Sequence, residues 1–178
     1  MSEDLTRRDA IKLGAAVTVA VSIDGTNALA QTAPKTFFTR EELALVDELA
    51  EMIIPADDHS PGARAAKVAA YIDARLAEAF DAAERTMWRD GLKVIEQSSR
   101  QANGWAFLDS TPAQRLALLE RIAANEAKPQ KPEERFFSEL KSRVVDAYYT
   151  SEIGIKQEME YKGNTYQAEF SGVDVSKG

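Results

Sequence analysis

Helix boundary signals recur through the middle of this chain and leave little room for anything but helices. Thr39 followed by Glu42 forms a capping box, with Phe38 placed to staple onto Leu43. Thr111 and Gln114 form a second box, with Pro112 at the first helical position. Ser60-Pro61 pairs a serine N-cap with a proline suited to N1. Pro55 is a stop, and Asn103-Gly104 supplies a left-handed C-cap. Apolar residues recur between these signals at three- and four-residue spacing. One stripe is Leu43, Val46, Leu49, Ala50 and Ile53; a second is Val68, Ile72, Leu76 and Phe80. A third helix, from about Asp81 to Ala102, turns Trp88, Leu92 and Ile95 inward. Leu116, Leu119 and Ala123 form the fourth stripe, with Leu118 and Ile122 beside it. After a linker, Lys128 to Pro132, a fifth helix from about Glu133 to Glu152 buries Phe137, Leu140, Val144 and Tyr148. The expected class is all-α: a compact bundle of about five helices within residues 31–152.

The two ends differ from this middle. Arg7-Arg8 and Lys12 precede a short apolar run, Leu13 to Val21, and Ala28-Leu29-Ala30 follows as a small-residue cleavage site. A charged start, an apolar middle and an A-x-A site make a secretory signal over residues 1–30. The apolar run is shorter than the roughly 20 residues that span a bilayer. The arginine pair resembles the twin-arginine export signal, with Ala10 where that motif usually has phenylalanine. A Sec-type signal and an ordinary amphipathic helix are the competing readings. At the other end, residues 153–178 hold Gly154, Gly163, Gly172 and Gly178, interleaved with Tyr161, Tyr166 and Phe170. Thr165 to Phe170 alternates like a strand, over a length too short to stand alone. Such an irregular, aromatic tail either folds back on its bundle or lies on another protein. Aromatic anchors are typical of interface hot spots. Tyr149, Ile153, Tyr161, Tyr166 and Phe170 are therefore the candidate partner contacts.

Composition narrows the chemistry. The 178 residues include no cysteine and one histidine, His59. Disulfides, thiolate metal sites, covalent c-type haem and a two-histidine zinc site are thereby excluded on this chain. No glycine-rich dinucleotide or nucleotide fingerprint occurs. The net charge is −7, and removing residues 1–30 takes away four acids and three bases, leaving −6. A surface of that sign repels phosphate backbones, so no nucleic-acid partner is expected.

What remains for catalysis is sparse. Asp57, Asp58 and His59 could supply a general base or a mixed carboxylate–imidazole metal site, and the alternative reading is a stand-alone periplasmic enzyme or ligand-binding module built on them. The plainer reading is a solvated loop whose acids favour the next helix N-terminus. No G-x-S-x-G elbow accompanies His59. Glu41-Glu42 and Glu133-Glu134 lie in first helical turns, where acids are expected. Trp88 and Trp105 suit core or rim positions, and of Tyr148-Tyr149 only one can face fully inward. No catalytic, cofactor-binding or metal-binding residue is assigned to this chain.

Several segments, taken together, resemble the gluconate 2-dehydrogenase subunit 3 family. They are the Thr6-Arg7-Arg8 leader, Phe38-Thr39 through Ile53-Ile54-Pro55-Ala56-Asp57-Asp58, Ser60-Pro61-Gly62-Ala63-Arg64, Val68 to Asp73, Phe107-Leu108, Gln114-Arg115 with Leu118-Leu119, Tyr148-Tyr149-Thr150-Ser151-Glu152-Ile153-Gly154, and Tyr161-Lys162-Gly163-Asn164. The resemblance implies a small, non-catalytic subunit without a cofactor of its own. Its implied partner is a flavoprotein large subunit of the glucose–methanol–choline oxidoreductase type, which holds FAD and oxidises a sugar, sugar acid or glycoside. A cytochrome c subunit often accepts the electrons. The Tyr-Tyr-Thr-Ser-Glu-Ile-Gly form is similar to small subunits paired with glycoside 3-dehydrogenases. The small subunit is expected to support maturation of the large one and to supply the export signal for both. The implied location is the periplasm, with membrane association through the complex.

Overall fold

The computed structural model describes residues 36–163. The expected secretory signal, with Arg7, Arg8, Lys12, Ala28 and Ala30, lies outside them, as do Tyr166, Phe170 and the expected strand-like run. Among the described residues there are six α-helices: α1 (Arg40–Ile53), α2 (Gly62–Ala65), α3 (Val68–Glu78), α4 (Ala82–Asn103), α5 (Pro112–Ala123) and α6 (Pro132–Tyr149). A π-helical turn, Gly154–Glu158, follows α6. The described residues contain no strand, in keeping with the expected all-α class.

Local cap chemistry fixes several boundaries. Thr39 and Glu42 form the expected reciprocal box at the start of α1, and Thr111 and Gln114 do the same for α5. Gly104 closes α4 with φ +79°. At 22 residues α4 is about 33 Å long and forms one wall of the bundle.

Helix α6 is the centrepiece, packing against α1, α3, α4 and α5. It therefore buries residues on more than one face: Phe136, Phe137, Leu140, Val144, Ala147 and Tyr148. Phe136 meets Trp88 of α4 edge-on at 5.5 Å, and Phe38 lies 5.9 Å from the same indole. Trp88, Phe107 and Tyr148 are fully buried. Each such side chain contributes about 1.5–3 kcal/mol by leaving water. Helices α4 and α6 approach so closely at Gly91 that an added Cβ would lie 2.0 Å from the Phe136 ring.

Four expectations need correction. The second helix is split: Lys67 takes a left-handed conformation (φ 57°) between α2 and α3, a break that no glycine announces. Phe80 is fully exposed, because α3 ends at Glu78 and Phe80 falls in the connection to α4. Leu116 is half exposed, since the inward face of α5 is set by Leu118, Leu119 and Ile122. Helix α6 stops at Tyr149 rather than Glu152. There the hydroxyls of Thr150 and Ser151 donate back to the carbonyls of Asp146 and Tyr148, at 2.6 Å each, competing with helix continuation.

Two buried carboxylates hold the bundle's ends. Asp73 on α3 accepts the N–H groups of Phe37 and Phe38 at 2.9 and 2.7 Å. Arg89 completes this clamp, donating to the Phe37 carbonyl at 2.6 Å and stacking over its ring at 4.5 Å. Glu134, in the first turn of α6, is nearly inaccessible. Its carboxylate accepts from the N–H groups of Lys131 (3.0 Å) and Gln130 (2.7 Å) and from the Asn125 amide (2.9 Å). The Lys131 N–H, then Asn125 and the Gln130 N–H, pull its pKa down from 4.5 to about 2.

A depressed carboxylate stabilises the fold fully above its unfolded value, and that contribution is lost as the pH falls through the folded one. Glu134→Gln should therefore lower the thermal midpoint by several degrees at neutral pH. The gap to the wild type should close between pH 4.5 and about 2. Melts recorded across that range check both points. A gap independent of pH would show that the charge is immaterial.

Candidate partner-facing site

The two most distinctive sequence segments, Ile53 to Gly62 and Tyr148 to Gly154, meet at one corner of the bundle. Pro55 follows the end of α1, and the chain then turns through Asp57, whose Oδ1 accepts the N–H groups of His59 and Ser60 at 2.8 and 2.7 Å. The Asp57 N–H donates to the Ser60 carbonyl at 2.8 Å, closing the loop on itself. Those donors, Ser60 before His59, lower the Asp57 pKa.

The closed loop turns Ser60 inward. Its hydroxyl is buried against the Tyr148 hydroxyl, 88 residues away, and the two are hydrogen-bonded. Ser60 is thus a tertiary link rather than a simple helix cap. Its oxygen lies 3.5 Å from the Gly62 N–H, at the limit of a hydrogen bond. Beside it, an added Cβ on Gly62 (φ +77°) would lie 2.6 Å from the Ala56 nitrogen, so this turn requires glycine.

From the opposite side, the π turn folds under the end of α6. Gly154 is buried so tightly that a Cβ would lie 2.1 Å from the Tyr148 carbonyl oxygen. Ser151 Oγ accepts the Gly154 N–H at 3.0 Å. His59 Nε2 reaches the Glu158 carbonyl oxygen at 3.2 Å, and the Glu158 carboxylate lies near the Tyr149 phenol. The Tyr148 and Tyr149 rings meet edge-on at 5.3 Å. Burial, then the neighbouring Glu158 charge, raises the Tyr149 pKa.

Charged side chains brace the same corner. Glu51 accepts the Ala56 and Arg64 N–H groups at 3.3 and 2.8 Å. Arg64 bridges Asp47 (2.6 Å) and Glu48 (2.8 Å) of α1. Arg115 reaches Glu48 at 2.6 Å and also donates to the Ser110 and Leu108 carbonyls at 2.9 and 2.8 Å. Exposed pairs of this kind add little singly, but Arg115 is mostly buried and ties three segments together.

This geometry separates the candidate residues. Asp57 is engaged by backbone, Asp58 stays at the surface, and His59 points to a carbonyl rather than to either aspartate. Among the described residues, no three or more His, Asp or Glu side chains gather where they could hold a metal ion. Tyr149 is 38% and Tyr161 54% exposed, and Met159 between them is half exposed. Ile153 is partly buried against the chain's own core. Tyr148 and Trp88 are core residues, whereas Trp105 is largely exposed.

The exposed Tyr149 and Tyr161, the self-satisfied polar loop and the two glycine contacts all lie within the part of the chain that a family profile covers. The profile described as gluconate 2-dehydrogenase subunit 3 matches residues 40–166. The chain belongs to the gluconate 2-dehydrogenase subunit 3 family. No curated protein and no solved structure matches it. The family is named for a subunit of a dehydrogenase, and in this member its profile spans every helix of the bundle. Among the described residues, no helix is long and apolar enough to cross a membrane.

The residues that sequence patterning passes over are Asp73 and Glu134. Asp73 carries a readable signal, an acid directly beside Ile72 on an otherwise apolar face. Glu134 carries none, because an acid in a first helical turn is ordinarily exposed.

Proposed function

We propose that this chain is the non-catalytic small subunit of a periplasmic FAD-dependent sugar or glycoside dehydrogenase. It binds a flavoprotein large subunit of the glucose–methanol–choline oxidoreductase type, supports its maturation and carries it through the twin-arginine route. FAD and the reacting atoms sit in the large subunit, and a cytochrome c or another acceptor takes the electrons. The observation that carries this reading is membership in a family named for a dehydrogenase subunit. Three further features support it. The sequence has no dinucleotide cradle, its leader suits folded cargo, and its polar loop residues are occupied in holding the chain's own corner. The Tyr-Tyr-Thr-Ser-Glu-Ile-Gly segment favours a glycoside as the large subunit's substrate.

Tyr149 and Tyr161, both exposed, are the described residues of the docking face, and Tyr166 and Phe170 are the further contacts the sequence nominates. An interface of about 1,600 Å² suffices for a stable pair. Changing both Tyr149 and Tyr161 to alanine removes two aromatic anchors from a half-exposed surface. Co-purification with the large subunit should fall at least about tenfold, equivalent to about 1.4 kcal/mol of binding. The thermal midpoint of the small subunit should stay within a few degrees of the wild type. Undiminished co-purification would place the docking face elsewhere.

A further inference from the structure

His59 is the one histidine of the sequence, and it joins two elements that are distant along the chain. Its ring spans from the loop after α1 to the end of the π turn, 99 residues later, through Nε2 and the Glu158 carbonyl oxygen. Three carboxylates, Glu158, Glu160 and Asp57, lie near enough to act on its charge. Helix α6 contributes two phenols nearby. Tyr149 lies near the Glu158 carboxylate, and Tyr148 is held by Ser60. Lys156 sits on Glu152 at 2.7 Å, and Lys162 lies 3.9 Å from Glu160, itself one of the three carboxylates.

Short-range bonds also hold the turn. The Ile155 N–H donates to the Ser151 carbonyl at 2.9 Å, the Met159 N–H to that of Gly154 at 2.9 Å, and the Tyr161 N–H to that of Ile155 at 3.0 Å. A neutral imidazole can donate one hydrogen bond to the Glu158 carbonyl. An imidazolium donates a stronger one and is also attracted to the three carboxylates.

We propose that His59 is a proton-operated latch that fastens the Gly154–Glu158 turn, and with it Tyr161, to the bundle at acidic pH and loosens it as the pH rises. The direction follows from which form of the ring the closed turn prefers. The Glu158 carbonyl bond is the main cause of a pKa above the ordinary 6.5, with the surrounding carboxylates adding to it. Such a group contributes fully below its unfolded value, and the contribution is lost as the pH rises through the folded one. The turn borders the docking face proposed above, but the latch belongs to this chain alone. Its failure would leave the partner reading untouched.

The test is amide hydrogen exchange of the full chain at about pH 5.5 and about pH 8, with rates corrected for intrinsic pH dependence. Wild type, His59→Gln and His59→Ala are compared over the peptide covering Ile153 to Tyr161. Protection in the wild type should be greater at the lower pH. The ratio should approach tenfold for each unit separating the closed and open titration midpoints. His59→Gln keeps a donor but does not titrate, so both glutamine and alanine variants should lose the pH dependence. In the wild type, the NMR titration of the one imidazole should have its midpoint above 6.5. Equal wild-type protection at both pH values, the same pH dependence in His59→Gln, or a midpoint at or below 6.5 would each overturn the latch.

Discussion

Gly154→Ala is expected to detach the C-terminal turn and abolish partner binding while the helical bundle stays folded. The new methyl group would lie 2.1 Å from the Tyr148 carbonyl oxygen, 2.8 Å from its carbon and 2.9 Å from Tyr149 Cα. All three are backbone atoms at the end of α6, so no side-chain rotation relieves the clash. The turn must move outward instead. That movement breaks the Gly154 N–H bond to Ser151, draws Glu158 away from His59 and Tyr149, and shifts Tyr161. Overpacking typically costs about 1–3 kcal/mol, and here the cost falls on a peripheral element. Helices α1, α3, α4, α5 and α6 keep their shared core, so the global melt should move by only a few degrees. Hydrogen exchange over residues 153–161 should accelerate strongly, and the variant should no longer co-purify with the large subunit. Wild-type exchange and wild-type binding together would show that the corner tolerates a side chain.

The second large effect concerns the proposed leader. Changing Arg7 and Arg8 together to lysine preserves the charge, so a signal that needs only a positive start should still work. The two side chains differ in shape and bonding: arginine offers a planar, five-donor fork and lysine a point charge. A receptor that reads the arginine pair should therefore reject the variant. Fractionation of cells expressing both subunits should find both in the cytoplasm. Export of both would mean that the signal is not read as a twin-arginine one. Retention of this chain alone, with the flavoprotein still exported, would remove the escort role.

These expectations differ in how far they could be read from the sequence. Starts of α1 and α5 and the end of α4 depend on residues within one turn of each other, so Thr39 with Glu42, Thr111 with Gln114, and Gly104 announce them directly. The Lys67 break and the π turn depend on what the chain meets in three dimensions. Nothing at Lys67 distinguishes it from a residue within a continuous helix. Ser60 reads as a cap because serine before proline usually is one; its inward turn requires Tyr148, far along the chain. Leu116 and Phe80 illustrate a related limit. Periodicity locates an apolar stripe, but the packing of neighbouring helices decides which edge of it is covered. The corner of the bundle is legible as two unusual segments, Ile53 to Gly62 and Tyr148 to Gly154. That they touch, and that their glycines are required by backbone approach, came only from the fold.

Maturation of the large subunit in the presence and absence of this chain tests the central claim most directly. The large subunit should be produced both ways and measured for bound flavin per polypeptide, cellular location and dehydrogenase activity. Dependence on a binding companion predicts a flavin-poor, inactive, cytoplasmic protein when this chain is missing, and a flavin-loaded, active, periplasmic one when it is present. A large subunit that fills with flavin, reaches the periplasm and turns over normally by itself would contradict the account.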